Sequence, residues 1–184
     1  VTDHGSSALL RALVFAAEKH RNQRRKDRDA SPYINHPIAV AAVLALEAGV
    51  TDEATLLAAL LHDTIEDTET TAEELEQAFG AEVAGLVREL SDDKSLPKQT
   101  RKQLQVERAA TASPKAKRLK IADKICNIRD VMGNLPANWS LDRRREYLTW
   151  AERVVEGCRG TDATLEALFD QVLREARGRL GVDG

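Results

Sequence analysis

The chain has 184 residues, of which 42% are apolar and 31% charged, a balance that suits one soluble domain with a sizeable core. A formal charge of −3 gives no global basic field for nucleic acid, and no apolar run reaches the ~18 residues of a membrane span. Only two cysteines are present, Cys126 and Cys158, with no C-x-x-C between them. That argues against a disulfide framework and fits a reducing cytoplasm. The opening "VTDHGSSALL" lacks the basic-then-apolar pattern of a secretory signal.

Helical periodicity runs nearly throughout, and aromatic residues are only 4%, so Ala, Leu, Val and Ile must fill the core. A first helix is expected from about Ser7 to His20, followed by a polar, basic loop that ends in "SPYIN". Pro37 suits the first turn of a second helix that stops at Gly49. Thr51 is the expected cap of a third helix carrying Leu56, Leu57, Leu60 and Leu61. Thr71 and Glu74 read as a capping box for a short helix ending near Gly80, and another helix spans about Ala81 to Leu90. After the charged loop "SDDKSLPKQ" come helices from about Thr100 to Ala110, from Ser113–Pro114 through "KAKRLKIADKICNIRDVM", from Leu141 to Gly157 and from Thr161 to Gly178. The expectation is an all-α, single-domain helical bundle over residues 1–184, with its core from about residue 7 to 178.

The third helix runs straight into "HDTIED". If the helix persists, His62, Asp63, Glu66 and Asp67 share an arc of about 140°. Two readings stand at that point: a solvated helix end, or a divalent-metal site with acid/base carboxylates beside it. His36 opens a very apolar helix just before Pro37, and is either a capping or core histidine or a ligand at a buried mouth. On the long helix that starts at Ser113–Pro114, Ile121, Ile125, Ile128 and Met132 form an apolar stripe, bordered by Asp123, Asn127 and Asp130. That border is either solvated and paired with Lys120 and Lys124, or functional.

Taken together, a His, a His-Asp pair and a distant helical Asp follow the ligand order of the HD phosphohydrolase superfamily, here His36, His62-Asp63 and Asp123. The stretches "QRRKDRDASPYINHP", "ALLHDTIEDTE" and "KIADKICNIRD" resemble the hydrolase domain of RelA/SpoT proteins, and "DDKSLPKQTRKQLQVE" and "WSLDRRREYLTWA" resemble its small stand-alone type. The likeness extends from about Leu10 to Leu168 and is greatest toward the small stand-alone hydrolases. One departure is the loop "DASPYI", where many relatives have a glycine shortly before Pro-Tyr-Ile.

The resemblance implies one Mn²⁺ held by His36, His62, Asp63 and Asp123, and removal of the 3′-pyrophosphate of (p)ppGpp to leave GDP or GTP. Glu66 and Asp67 match the family's acidic pair, which orients and deprotonates water. Arg25 matches the family's phosphate-binding arginine, and Lys26 is its neighbour in a run, "KHRNQRRKDR", that holds six Lys or Arg against one Asp. Asn127 matches a nucleotide-contacting position, and Tyr147 is expected to stack on a base or bind phosphate. His20 is expected to be structural. The partner is a small nucleotide, with no nucleic acid and no membrane, and no synthetase or regulatory domain is expected. Two alternatives keep the enzyme but change the substrate: the 2′-phosphate of NADPH, or an adenine alarmone such as pppApp. A non-catalytic nucleotide sensor is the third, opposed by the intact His-His-Asp-Asp set and the intact Glu66-Asp67 pair.

Overall fold

The structure, a computed structural model, describes residues 4–133 and 139–181. Its elements are helical, and the described residues hold one isolated β-bridge, between Arg24 and Pro32. The chain divides into two compact units, residues 1–24 with 32–94, and residues 25–31 with 95–184. The all-α expectation holds. The one-domain pattern of the sequence carries no trace of the division into units, because both halves share the same helical period.

The first unit contains α1 (His4–Lys19), α2 (Asn35–Ala42), a π-helical turn (Val43–Glu47), α3 (Glu53–Leu61), α4 (Thr64–Asp67), α5 (Ala72–Phe79) and α6 (Ala81–Leu90). Helix α3 is its centre. Every residue from Thr55 to Leu61 is buried, and α1, α2 and α6 pack around it. Each buried leucine contributes about 1.5–3 kcal/mol through removal of apolar surface from water. Pro37 lies in the first turn of α2 as expected, and the wide turn after it ends at Gly49, whose φ of 68° a side chain would oppose.

The cap of α3 is Asp52, not Thr51. Asp52 takes the extended conformation at the helix start, and its carboxylate accepts from the Thr55 amide at 2.9 Å and the Thr55 hydroxyl at 2.6 Å. A carboxylate at the positive helix end outcompetes a hydroxyl one residue earlier. Thr71 caps α5 as expected, accepting from the Glu74 amide at 3.1 Å. The reciprocal half of the box goes elsewhere, since Glu74 pairs with Lys19 of α1 at 2.7 Å.

The second unit contains α7 (Lys98–Ala109), α8 (Pro114–Gly133), α9 (Leu141–Glu156) and α10 (Ala163–Arg179). Helix α8 is its centre, packed on α9 and α10. Leu119, Ile121, Ala122, Ile125, Cys126, Ile128 and Val131 are buried, while Met132 is only half-buried. Gly157 is required by close approach, because a Cβ there would lie 2.7 Å from the Ala109 Cβ and 2.9 Å from the Ala110 amide nitrogen. Asp162 caps α10 by accepting from the Leu165 amide at 3.2 Å. Glu166 reaches back to the Thr161 and Asp162 amides at 3.0 Å each. Cys126 and Cys158 are both buried thiols outside any disulfide.

Candidate functional site

The helix bearing the His-Asp pair does not persist. Helix α3 stops at Leu61, His62 and Asp63 form a turn, and α4 restarts at Thr64. The break is stabilised from within. His62 Nδ1 lies 2.8 Å from the Ala59 carbonyl, and the Thr64 hydroxyl donates to the Leu61 carbonyl at 2.7 Å. Two of the carbonyls that a helix end leaves open are thereby satisfied. The same bond places the His62 proton on Nδ1 and leaves Nε2 as the lone-pair nitrogen, as a metal-ligating histidine requires.

In the first unit the turn brings His36, His62 and Asp63 together. Asp63 Oδ2 lies 3.1 Å from His62 Nε2 and 4.0 Å from His36 Nε2. The two imidazoles stand 5.4 Å apart between centroids, and both histidines are buried. Tyr33, from the loop before α2, donates its hydroxyl to the same Asp63 oxygen at 2.6 Å. Buried imidazole nitrogens converging on a carboxylate, with no thiolate, fit a divalent cation.

Beside them on α4 lie the two acids. Glu66 Oε2 accepts the Asp92 amide at 3.0 Å. Burial pushes the Glu66 carboxyl above the usual glutamate range, and the nearby charges of Asp92, Asp63 and Asp67 add to this, against the lowering effect of the Asp92 amide. Asp67 accepts from Gln23 Nε2 at 2.9 Å on one oxygen and pairs with Lys94 Nζ on the other.

In the second unit Asp123 extends from α8 with both oxygens occupied. Asn127, one turn on, donates to Oδ1 at 2.7 Å, and Lys124 Nζ lies 2.7 Å from Oδ2. Lys124 is not the solvated partner expected of it. It is only 6% exposed, and its ammonium lies 4.7 Å from the centroid of the Trp150 ring. Tyr147 is half-buried between Trp139 at 5.6 Å and Trp150 at 5.4 Å. Desolvation, followed by the Asp123 charge, holds its phenol well above the ordinary range, so it remains a hydrogen-bond donor.

Arg25 is paired with Asp130 of α8, and its amide donates to the Ser31 carbonyl at 2.8 Å, closing the loop 25–31. Lys26 is exposed. The Lys98 ammonium is lowered by burial and then by the like charges of Arg143, Lys26 and Arg101. Lys102 is lowered by burial and by Lys98. Such crowded cations mark a surface that gains from an anion. Sequence reading missed Tyr33, Gln23, Lys102, Lys124 and Arg143. All five lie within the stretches that carry the family resemblance, and Tyr33 has a further signal in its place in "SPYIN", three residues before His36. Ala30 has φ of 47°, the left-handed conformation that a glycine in this loop adopts without strain.

A profile of the HD domain matches residues 12–149. The chain belongs to the HD-domain family. Among proteins of known name, it is 51% identical over 175 residues to a guanosine-3′,5′-bis(diphosphate) 3′-pyrophosphohydrolase MESH1 of Drosophila melanogaster, covering 95% of this chain and 97% of that protein. It is 54% identical over 173 residues to the protein of the same name from Homo sapiens, covering 93% and 97%. A GTP pyrophosphokinase rsh of Brucella melitensis is 40% identical over 133 residues, covering 69% of this chain and 17% of that protein. Among solved structures, one of a metazoan orthologue of SpoT, described as hydrolysing ppGpp and acting in starvation responses, superposes with a TM-score of 0.88. The two are 50% identical, with 91% and 94% of the chains covered.

Proposed function

We propose that this chain removes the 3′-pyrophosphate of ppGpp and pppGpp, leaving GDP or GTP, with one Mn²⁺ held by His36, His62, Asp63 and Asp123. The observation that carries the reading is the broken helix at His62-Asp63, where the buried imidazoles of His62 and of His36 from α2 meet one carboxylate and Glu66 and Asp67 follow on the next turn. The names of the relatives support the substrate, and oxygen and imidazole donors suit manganese. When bound, the ion supplies a polarised phosphate oxygen and a water of lowered pKa.

The chain's own residues do the rest. Glu66 and Asp67 orient the attacking water and take its proton. The raised Glu66 carboxyl makes the stronger base of an ordinary carboxylate. Asn127 and the neutral Tyr147 phenol donate to the nucleotide, and Arg25 and Lys26 bind its phosphates. The ion pair with Asp130 of α8 holds the Arg25 guanidinium in place for that task. A reducing compartment suits the two buried thiols, and the cytoplasm is the proposed location.

Product analysis by phosphorus NMR tests the proposal, with manganese-loaded protein offered ppGpp, pppApp and NADPH in parallel. Pyrophosphate from ppGpp is the expected result. Orthophosphate from NADPH with little else would move the activity to a 2′-phosphatase, and no product from any of the three would leave a sensor.

A further inference from the structure

Behind Asp67 the first unit holds a chain of side chains that the proposed reaction does not use. Asp67 Oδ2 accepts from Gln23 Nε2 at 2.9 Å, and Gln23 Oε1 lies 2.7 Å from His20 Nδ1. The roles in this chain follow from chemistry. A carboxylate only accepts, so the Gln23 amide nitrogen must face Asp67 and its oxygen must face His20. His20 therefore carries a proton on Nδ1. Its ring is 2% exposed, and Nε2 has no hydrogen-bond partner among the described residues. A protonated Nε2 would be a buried donor with nothing to accept it, so the ring has one orientation and one tautomer.

That ring also lies against Tyr33, with centroids 4.9 Å apart and planes tilted by 33°, and Tyr33 donates to Asp63 at 2.6 Å. One imidazole thus fixes two partners. Tyr33 leads to the carboxylate at the His-Asp turn, and Gln23 leads to the acid on α4. The side chains are local in sequence on one side, since His20 and Gln23 are joined by the backbone bond from the Gln23 amide to the His20 carbonyl at 2.9 Å. Asp67 is far away in sequence, so the relay joins the end of α1 to α4.

We propose that Gln23, locked in orientation by His20, is a positioning residue that aims the Asp67 carboxylate for its work on water. The inference rests on the role given to Asp67 under the proposed function. Among the described residues, removing the amide leaves the Asp67 carboxylate tethered by Lys94, a long and half-exposed side chain, so the carboxylate samples unproductive rotamers. Substrate binding does not pass through this chain.

The test compares Gln23→Met, His20→Asn, His20→Leu and Asp67→Asn in the full-length, manganese-loaded protein with ppGpp. Turnover number and KM are measured separately, with metal content and thermal melting in parallel. Gln23→Met is expected to lower kcat about 10–100-fold, the usual loss for a partner that orients a working group, with KM and metal content unchanged. His20→Asn keeps an amide N–H near the Nδ1 position and should hold kcat close to that of the parent, while His20→Leu should fall with Gln23→Met. Unchanged kcat in Gln23→Met, alongside a large loss in Asp67→Asn, would overturn the positioning role and spare the role of Asp67. Full activity in Asp67→Asn would instead overturn the reading on which the inference rests. If Gln23→Met melts early, the His20→Asn and His20→Leu pair decides: equal loss of kcat in both refutes the relay.

Discussion

The turn at His62-Asp63 and the helix at Asp123-Asn127 present acids in opposite ways. The first is an interruption. Helix α3 ends, two of its carbonyls are taken by His62 and Thr64, and the next helix starts at Thr64. The second is an uninterrupted helix, in which Asp123 is held by its neighbour Lys124 and by Asn127 at i+4. In the first unit burial, joined by repulsion among neighbouring carboxylates, pushes Glu66 up. In the second, burial, joined by repulsion among neighbouring cations, pushes Lys98 and Lys102 down. Acid-rich and base-rich regions of this kind suit different tasks, water handling in one and polyanion binding in the other.

That division can be broken most sharply at the proposed metal ligands. Asp63→Ala and Asp123→Ala, one from each region, should each abolish metal retention and take turnover to background. Metal analysis after gel filtration checks both, and retention in either variant would remove that residue from the ligand set. Next in size is Glu66→Gln, expected to lower kcat by about 10²–10⁴-fold with KM and metal unchanged, read from steady-state kinetics.

The same variant sharpens the electrostatics. Because the folded-state value of Glu66 is raised, the folded chain favours its protonated form. The stability this lends is complete below the ordinary glutamate pKa and is lost as pH rises through the raised value. Gln has no charge to bury and still accepts the Asp92 amide. In metal-free protein the melting temperature of Glu66→Gln should therefore gain on the parent from pH 4 to pH 8. A gap that does not change with pH would mean the charge costs nothing.

In the base-rich region, Lys26→Ala should raise KM for ppGpp about 5–10-fold, the worth of about one charge-assisted contact, and leave kcat alone. A fall in kcat instead would blur the division of tasks. The smallest effect concerns only the loop that carries Arg25 and Lys26. Ala30→Gly removes the strain of a left-handed alanine and should stabilise the chain by about 1 kcal/mol, measured by urea unfolding.

Much of the fold was legible because helix signals are local. The period of the α8 stripe, Pro114 at its start, Thr71 before α5 and Gly80 after it all act within a few residues, and all are found where their chemistry predicts. The one misassigned cap, Thr51 where Asp52 serves, is a one-residue competition between neighbouring oxygens that the carboxylate won. The candidate residues were legible for a different reason. A ligand order of His, His-Asp and Asp survives in linear form. Their supports were not, because Gln23 bonds Asp67 across 44 positions and Tyr33 bonds Asp63 across 30.

The sequence by itself determined the helical class, most helix limits and the list of acids, bases and imidazoles available for chemistry, since periodicity, capping and residue type are properties of short stretches. Tertiary structure alone decided that Lys124 is buried against Trp150, and that His20 lies behind Tyr33 and supports the residue that reaches Asp67. Each of these depends on which distant side chain removes water from a polar group, and desolvation is a property of packing that no short stretch of sequence carries.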